Sequence, residues 1–69
     1  MKTSARNQFA GTIREIVKGP VSAEVSIEVA PGMRVVAVIS ARSADALGLA
    51  VGKPAYALIK SNSVIVAVD

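Results

Sequence analysis

Val21-Ser22-Ala23-Glu24-Val25-Ser26-Ile27-Glu28-Val29-Ala30 alternates apolar and polar side chains from Val21 through Val29. Successive residues of a strand point to opposite faces of its sheet. Val21, Ala23, Val25, Ile27 and Val29 therefore share one face, and Ser22, Glu24, Ser26 and Glu28 the other. Such strict period two predicts one buried face and one wet face. Pro31-Gly32 follows directly and reads as a tight turn, so this strand and the next form a hairpin. The next strand, residues 34–40, carries Val35, Ala37 and Ile39 on one side and Val36 and Val38 on the other. Both of its faces are apolar, which predicts that both are covered. In so small a chain, a neighbouring subunit is the expected cover.

Upstream of the hairpin, residues 9–18 read as a strand. Phe9, Gly11, Ile13 and Val17 fall on one parity with Glu15 as the misfit, and Thr12, Arg14 and Lys18 fall on the other. Its parity assigns Phe9 to the core. Gly19-Pro20 then punctuates the chain. Downstream, Ser43-Ala44-Asp45-Ala46-Leu47-Gly48 reads as one short helical turn. Ser43 is placed to cap it, Asp45 suits the positive end of its dipole, and Gly48 suits the position after its C-cap. Residues 49–54 form a turn-rich connector, residues 55–60 a fourth strand, Ser61-Asn62-Ser63 a polar turn, and residues 64–68 a fifth strand. The fold class is all-β, with five short strands and one short helical turn between the third and fourth. That is the element order of an OB-like barrel. The length allows a single domain over residues 1–69.

A domain this small buries a modest fraction of its surface and is marginal alone. Small scaffolds add disulfides, a metal or oligomerisation. Cysteine and histidine are both absent, which removes disulfides and thiolate or imidazole metal sites. No metal ion is expected to be ligated directly by the protein. Yet 52% of the residues are hydrophobic, and the mean hydropathy is +0.52. With one Phe, one Tyr and no Trp, that apolarity is almost entirely aliphatic. Self-association is the simplest way to cover it, so a homo-oligomer is expected. No apolar run approaches the roughly 18 residues that span a bilayer. Met1-Lys2-Thr3-Ser4 lacks the apolar core of a signal peptide. Both features predict a soluble, cytoplasmic protein with no membrane partner.

Catalysis is disfavoured by the same inventory. The acids are Glu15, Glu24, Glu28, Asp45 and Asp69. Glu24 and Glu28 lie roughly 13 Å apart along an extended strand, too far for a retaining carboxylate pair. The serines lack an activating base other than Lys60. Nucleic-acid binding by an OB-like barrel uses exposed aromatic platforms, and only Phe9 and Tyr56 are available. The net charge is +3, but its eight basic residues are scattered and form no stripe. An OB-type nucleic-acid-binding module is the alternative function, and a purely structural oligomerisation module a third.

A small oxyanion fits the residues better. Such a site needs inward hydrogen-bond donors and balancing positive charge. Ser4 and Arg6 precede the first strand. Ser40 ends the third strand, Ser43 opens the helical turn, and Lys60 and Ser61 end the fourth strand. All lie at strand ends, where irregular backbone leaves N–H groups free. The plainer reading is a frayed terminus, a helix cap and a solvated strand end. Lys18-Gly19-Pro20-Val21-Ser22-Ala23 also offers a turn, a cation and a hydroxyl, although Gly-Pro turns need no ligand.

Ser4-Ala5-Arg6-Asn7-Gln8, with Gly11 after it, resembles the opening of the molbindins, the small Mop-type molybdate-binding proteins whose module also occurs as the TOBE domain. The likeness continues through Val21-Ser22-Ala23-Glu24-Val25, Ile39-Ser40, Leu47-Gly48, Val51-Gly52-Lys53 and Ile59-Lys60-Ser61, and covers essentially the whole chain. The resemblance implies a five-stranded OB-like barrel that binds and stores molybdate, or tungstate, inside the cell without catalysis. It implies a homohexamer built as a trimer of dimers, with ligands at subunit interfaces and strand one shared with the partner barrel. By position, Ser4, Arg6, Ser40, Ser43, Lys60 and Ser61 match the oxyanion-binding residues. Ser22, with the backbone around Val21 and Ala23, matches a second site near the threefold axis.

Overall fold

A computed structural model describes residues 1–69. Four antiparallel strands form one sheet: β1 (Asn7–Lys18), β2 (Ser22–Ala30), β3 (Met33–Ser40) and β4 (Pro54–Ile59), in the order β3-β2-β1-β4. A short helix, α1 (Ala41–Ala46), separates β3 from β4, and a 3-10 turn, Ser61–Ser63, follows β4. No helix is long and apolar enough to cross a membrane. Ile13 of β1, Val25 and Ile27 of β2 and Ala57 of β4 pack into one core. β2 and β4 flank β1 on opposite sides, so their meeting over Ile13 requires the sheet to curl. The result is an open barrel.

The hairpin forms as its pattern predicts. Ala30 pairs with Met33 around Pro31-Gly32, and Gly32 takes the positive φ of 73° that favours glycine at the third position of a type II turn. Ala23, Val25 and Ile27 are buried. Two residues depart from the period. Val21 lies ahead of β2 and is exposed. Ser26, expected on the wet face, is buried between Glu15 of β1 and Val36 of β3.

β1 departs from strict alternation for a local reason. Its register with β2 shifts between Ile13 and Glu15, so Arg14 is an extra residue. A bulge reverses the parity beyond it. Ile13 therefore faces the core before the bulge, and Ile16, not Val17, packs against it afterwards. Val17 is exposed, and Glu15 is no misfit. Phe9 also departs from expectation, being 39% exposed.

Gly11 marks a close crossing. A Cβ there would lie 2.3 Å from the Glu28 carbonyl oxygen and 2.8 Å from Ile27 Cγ2. The first is backbone and cannot swing aside. Gly11→Ala is expected to destabilise the fold by about 1–3 kcal/mol, read as a lower urea midpoint at fixed chain concentration.

The helix starts earlier than the sequence suggests. Ser40, not Ser43, is its N-cap, because Ala41 and Ala44 are the residues buried against the sheet. Asp45 consequently falls in the last turn, where the dipole does not favour it, and pairs instead with Lys18 at the end of β1. Gly48 does end the helix, at φ 64°. Its N–H donates to the Asp45 carbonyl and that of Leu49 to the Ala44 carbonyl, the Schellman pattern that satisfies the last carbonyls.

The fifth strand is absent within the chain. Val64 is extended, with φ −87° and ψ 128°, but residues 64–68 join no ladder. Ile65, Val66 and Val68 are 92%, 84% and 93% exposed. Extended propensity makes a strand only where a neighbouring strand accepts its hydrogen bonds. β3 and β4 are both sheet edges, and a cleft of about 460 Å³ lies between them, lined only by hydrophobic residues, Val35, Val36, Tyr56 and Leu58 among them. Val36 and Val38, expected to be covered, stand 54% and 72% exposed.

Candidate functional site: a cleft without carboxylates

Asn7, at the start of β1, pairs with Ile59, at the end of β4. The Asn7 side-chain amide adds a bond to the Ile59 carbonyl at 3.1 Å. This pairing sets the residues ahead of β1 beside the residues after β4. Between them lies a cleft of about 470 Å³ lined by Thr3, Ser4, Ala5, Arg6, Leu58, Lys60, Ser61 and Asn62. Four of the six residues expected to bind an oxyanion, Ser4, Arg6, Lys60 and Ser61, thus meet in one place.

The chemistry of the cleft is one-sided. Two cations, the hydroxyls of Thr3, Ser4 and Ser61 and the Asn62 amide can all donate to an oxyanion. No carboxylate lines it. The two ion pairs of the chain, Arg14–Glu28 at 3.1 Å and Lys18–Asp45, lie elsewhere. Arg6 and Lys60 therefore have no anionic partner within the chain. The N-terminal wall is held by its own bonds. The Ala5 N–H donates to Thr3 Oγ1 at 3.2 Å, and Gln8 Nε2 to the Ala5 carbonyl at 3.0 Å. The C-terminal wall is the 3-10 turn, closed by the Ser63 N–H on the Lys60 carbonyl at 2.9 Å. Thr3 and Asn62 were not singled out by the sequence. Their only signal there is adjacency to Ser4 and Ser61 and a side chain able to donate.

Ser40 and Ser43 lie at the opposite end of β1, a strand of 12 residues and on the order of 35 Å when extended. Ser40 Oγ accepts the Ser43 N–H at 3.0 Å and donates to Ser43 Oγ at 2.8 Å. That arrangement leaves the Ser43 hydroxyl proton free to point outward. Ser22 faces Ser40 across the β2–β3 ladder, and the Val21 carbonyl accepts the Ala41 N–H at 2.9 Å. Val21, Ser22 and Ala23 therefore adjoin Ser40 and Ser43 rather than the cleft. Within one chain the predicted residues form two separate groups. As the N-cap, Ser40 also has a structural role. Ser40→Ala is expected to cost about 1 kcal/mol and to lower the melting temperature by about 4–8 °C, measured at fixed chain concentration.

The TOBE domain family matches residues 3–66. The molybdenum transport protein ModE of Herbaspirillum seropedicae is 46% identical over the whole chain, which spans 26% of that relative's length. A probable molybdenum-pterin-binding protein of Haemophilus influenzae is 44% identical, with 100% of each chain covered. The structure superposes on a molybdate-binding protein from Sporomusa ovata with a TM-score of 0.89 and 37% identity, over 97% of this chain and 98% of that one. The curled four-stranded sheet with its single short helix is thus the OB-like fold of the molbindins. By sequence match along nearly all its length and by fold, the chain belongs to the TOBE domain family.

Proposed function

We propose that the protein binds molybdate in the cleft between residues 3–6 and 58–62, and that it stores and buffers the oxyanion in the cytoplasm without catalysing a reaction. The observation that carries this reading is a carboxylate-free cleft with two unpaired cations and several hydroxyls. The names of its relatives, which bind molybdate or molybdenum-pterin, support it. Molybdate is a tetrahedral dianion, fully deprotonated near neutral pH, and the cations, hydroxyls and side-chain amide of such a cleft can all donate to it. Phosphate keeps a proton part of the time, and a cleft without a carboxylate offers that proton only the weaker acceptors of hydroxyl and amide oxygens. Tungstate matches molybdate in charge and shape, so it is a second ligand of the same site.

The functional unit in this reading is a homo-oligomer, a hexamer arranged as a trimer of dimers, in which each chain is a single domain. Residues 64–68 of one chain would enter the apolar β3–β4 seam of another. The exposed tail, the open seam and the uncovered Val36 and Val38 support self-association. Ser40 and Ser43 of one copy would complete the cleft of another, since no single chain unites the two groups. Ser22, with Val21 and Ala23, belongs to a second oxyanion site of the assembly.

Calorimetry tests the reading. Molybdate and tungstate are expected to bind with affinities within about 1 kcal/mol of each other, the scale of one hydrogen bond, and phosphate to bind far more weakly. A folded oligomer that gives no heat with molybdate overturns it and leaves a structural assembly module.

A further inference from the structure

The wall of the oxyanion cleft is also the hinge of the unpaired tail. Lys60, Ser61 and Asn62 line the cleft, and the 3-10 turn Ser61–Ser63, capped by Lys60, fixes the direction in which residue 64 leaves. Two bonds hold that turn: Ser63 N–H to the Lys60 carbonyl at 2.9 Å, and Val64 N–H to the Ser61 carbonyl at 3.4 Å. Five extended residues beyond it span about 17 Å, a length that fits along the six-residue edge strand β4. Leu58 connects the two features a second time, because it lines both the cleft and the apolar seam.

We propose that oxyanion binding latches this hinge, so that ligand affinity and insertion of the tail into a second copy are thermodynamically linked. The inference rests on the function proposed above. Arg6 and Lys60 line the cleft from its two walls, and neither pairs with a carboxylate of the chain. A dianion between them attracts both and holds Lys60 and Ser61 in the conformation that sends the tail outward. Linkage is reciprocal: whatever the ion contributes to assembly, assembly contributes to ion affinity. The protein then releases oxyanion as it dissociates on dilution, and it assembles more tightly when oxyanion is plentiful.

Sedimentation of a dilution series, with and without sodium molybdate, measures the chain concentration at which half of the oligomer dissociates. Saturating molybdate is expected to lower that concentration by about tenfold or more. Ser63→Pro removes the N–H that closes the turn and disfavours the helical backbone of Asn62, so it breaks the hinge without substituting any residue that lines the cleft. Its fold is checked by circular dichroism. It is expected to lose most of the molybdate-induced shift and to bind molybdate about tenfold more weakly at equal chain concentration. A folded Ser63→Pro that keeps the full shift overturns the latch. So does a wild-type protein that binds molybdate with no change in its dissociation. A wild-type protein that binds no molybdate overturns the functional reading, and the latch with it.

Discussion

Lys60→Ala weakens molybdate binding by about 2–4 kcal/mol, the scale of losing a charge-assisted partner to an anion that the proposed assembly encloses, which is roughly 30-fold to 1000-fold in affinity. Lys60 carries one of two positive charges in a cleft that offers the ion no other cation. It forms no ion pair within the chain, so its removal leaves no internal carboxylate stranded. Its side chain is exposed and lies outside the core, so the subunit fold survives the change. Calorimetry of the folded variant checks the prediction. Unchanged affinity would place the binding site elsewhere, and the hydroxyl group around Ser22, Ser40 and Ser43 would be the next place to look.

Ile13→Ala has the largest expected effect on stability. Ile13 is the one large side chain that is fully buried, and it sits where β2 and β4 meet over β1. Its backbone is committed as well: its N–H donates to the Lys53 carbonyl at 3.0 Å, and its carbonyl accepts the Gly52 N–H at 2.8 Å. With the main chain fixed on both sides, the site cannot collapse around a smaller residue. The cost is therefore expected in the range of about 2–5 kcal/mol for an Ile-to-Ala change. A chain of this size has a total stability of only about 3–10 kcal/mol. Urea unfolding at fixed chain concentration is expected to show a midpoint shifted far down or no folded baseline. A shift below about 1 kcal/mol would mean that the stabilising core lies elsewhere.

Much of the fold is legible in the residues because local rules suffice for it. Period two over residues 21–30, followed by Pro31-Gly32, specifies the β2–β3 hairpin without reference to the rest of the chain. Gly48 specifies the end of the helix because a left-handed residue is needed there. The errors arise where a neighbour decides. Glu15 breaks the alternation of β1, but a parity break does not say which residue is extra, and only pairing with β2 identifies Arg14. Ser40 and Ser43 are both good caps. The choice between them depends on which alanines face the sheet. Residues 64–68 have the composition of a strand, but composition does not name the chain that supplies the partner.

The candidate site divides along the same line. The residue types at strand ends identify Ser4, Arg6, Lys60 and Ser61 as donors. That they share one cleft follows from β4 lying next to β1, a topology that no local pattern encodes. Thr3 and Asn62 join them for that reason alone. The same topology sends Ser40 and Ser43 to the far end of β1, so no single chain unites them with the cleft.

The most direct measurement is equilibrium dialysis of the purified protein against molybdate, with retained molybdenum determined by elemental analysis against chain concentration. The account predicts molybdenum retained in fixed proportion to the chain, displaced by tungstate, little affected by phosphate, and largely lost in Lys60→Ala. Retention no greater than in the protein-free chamber would contradict it.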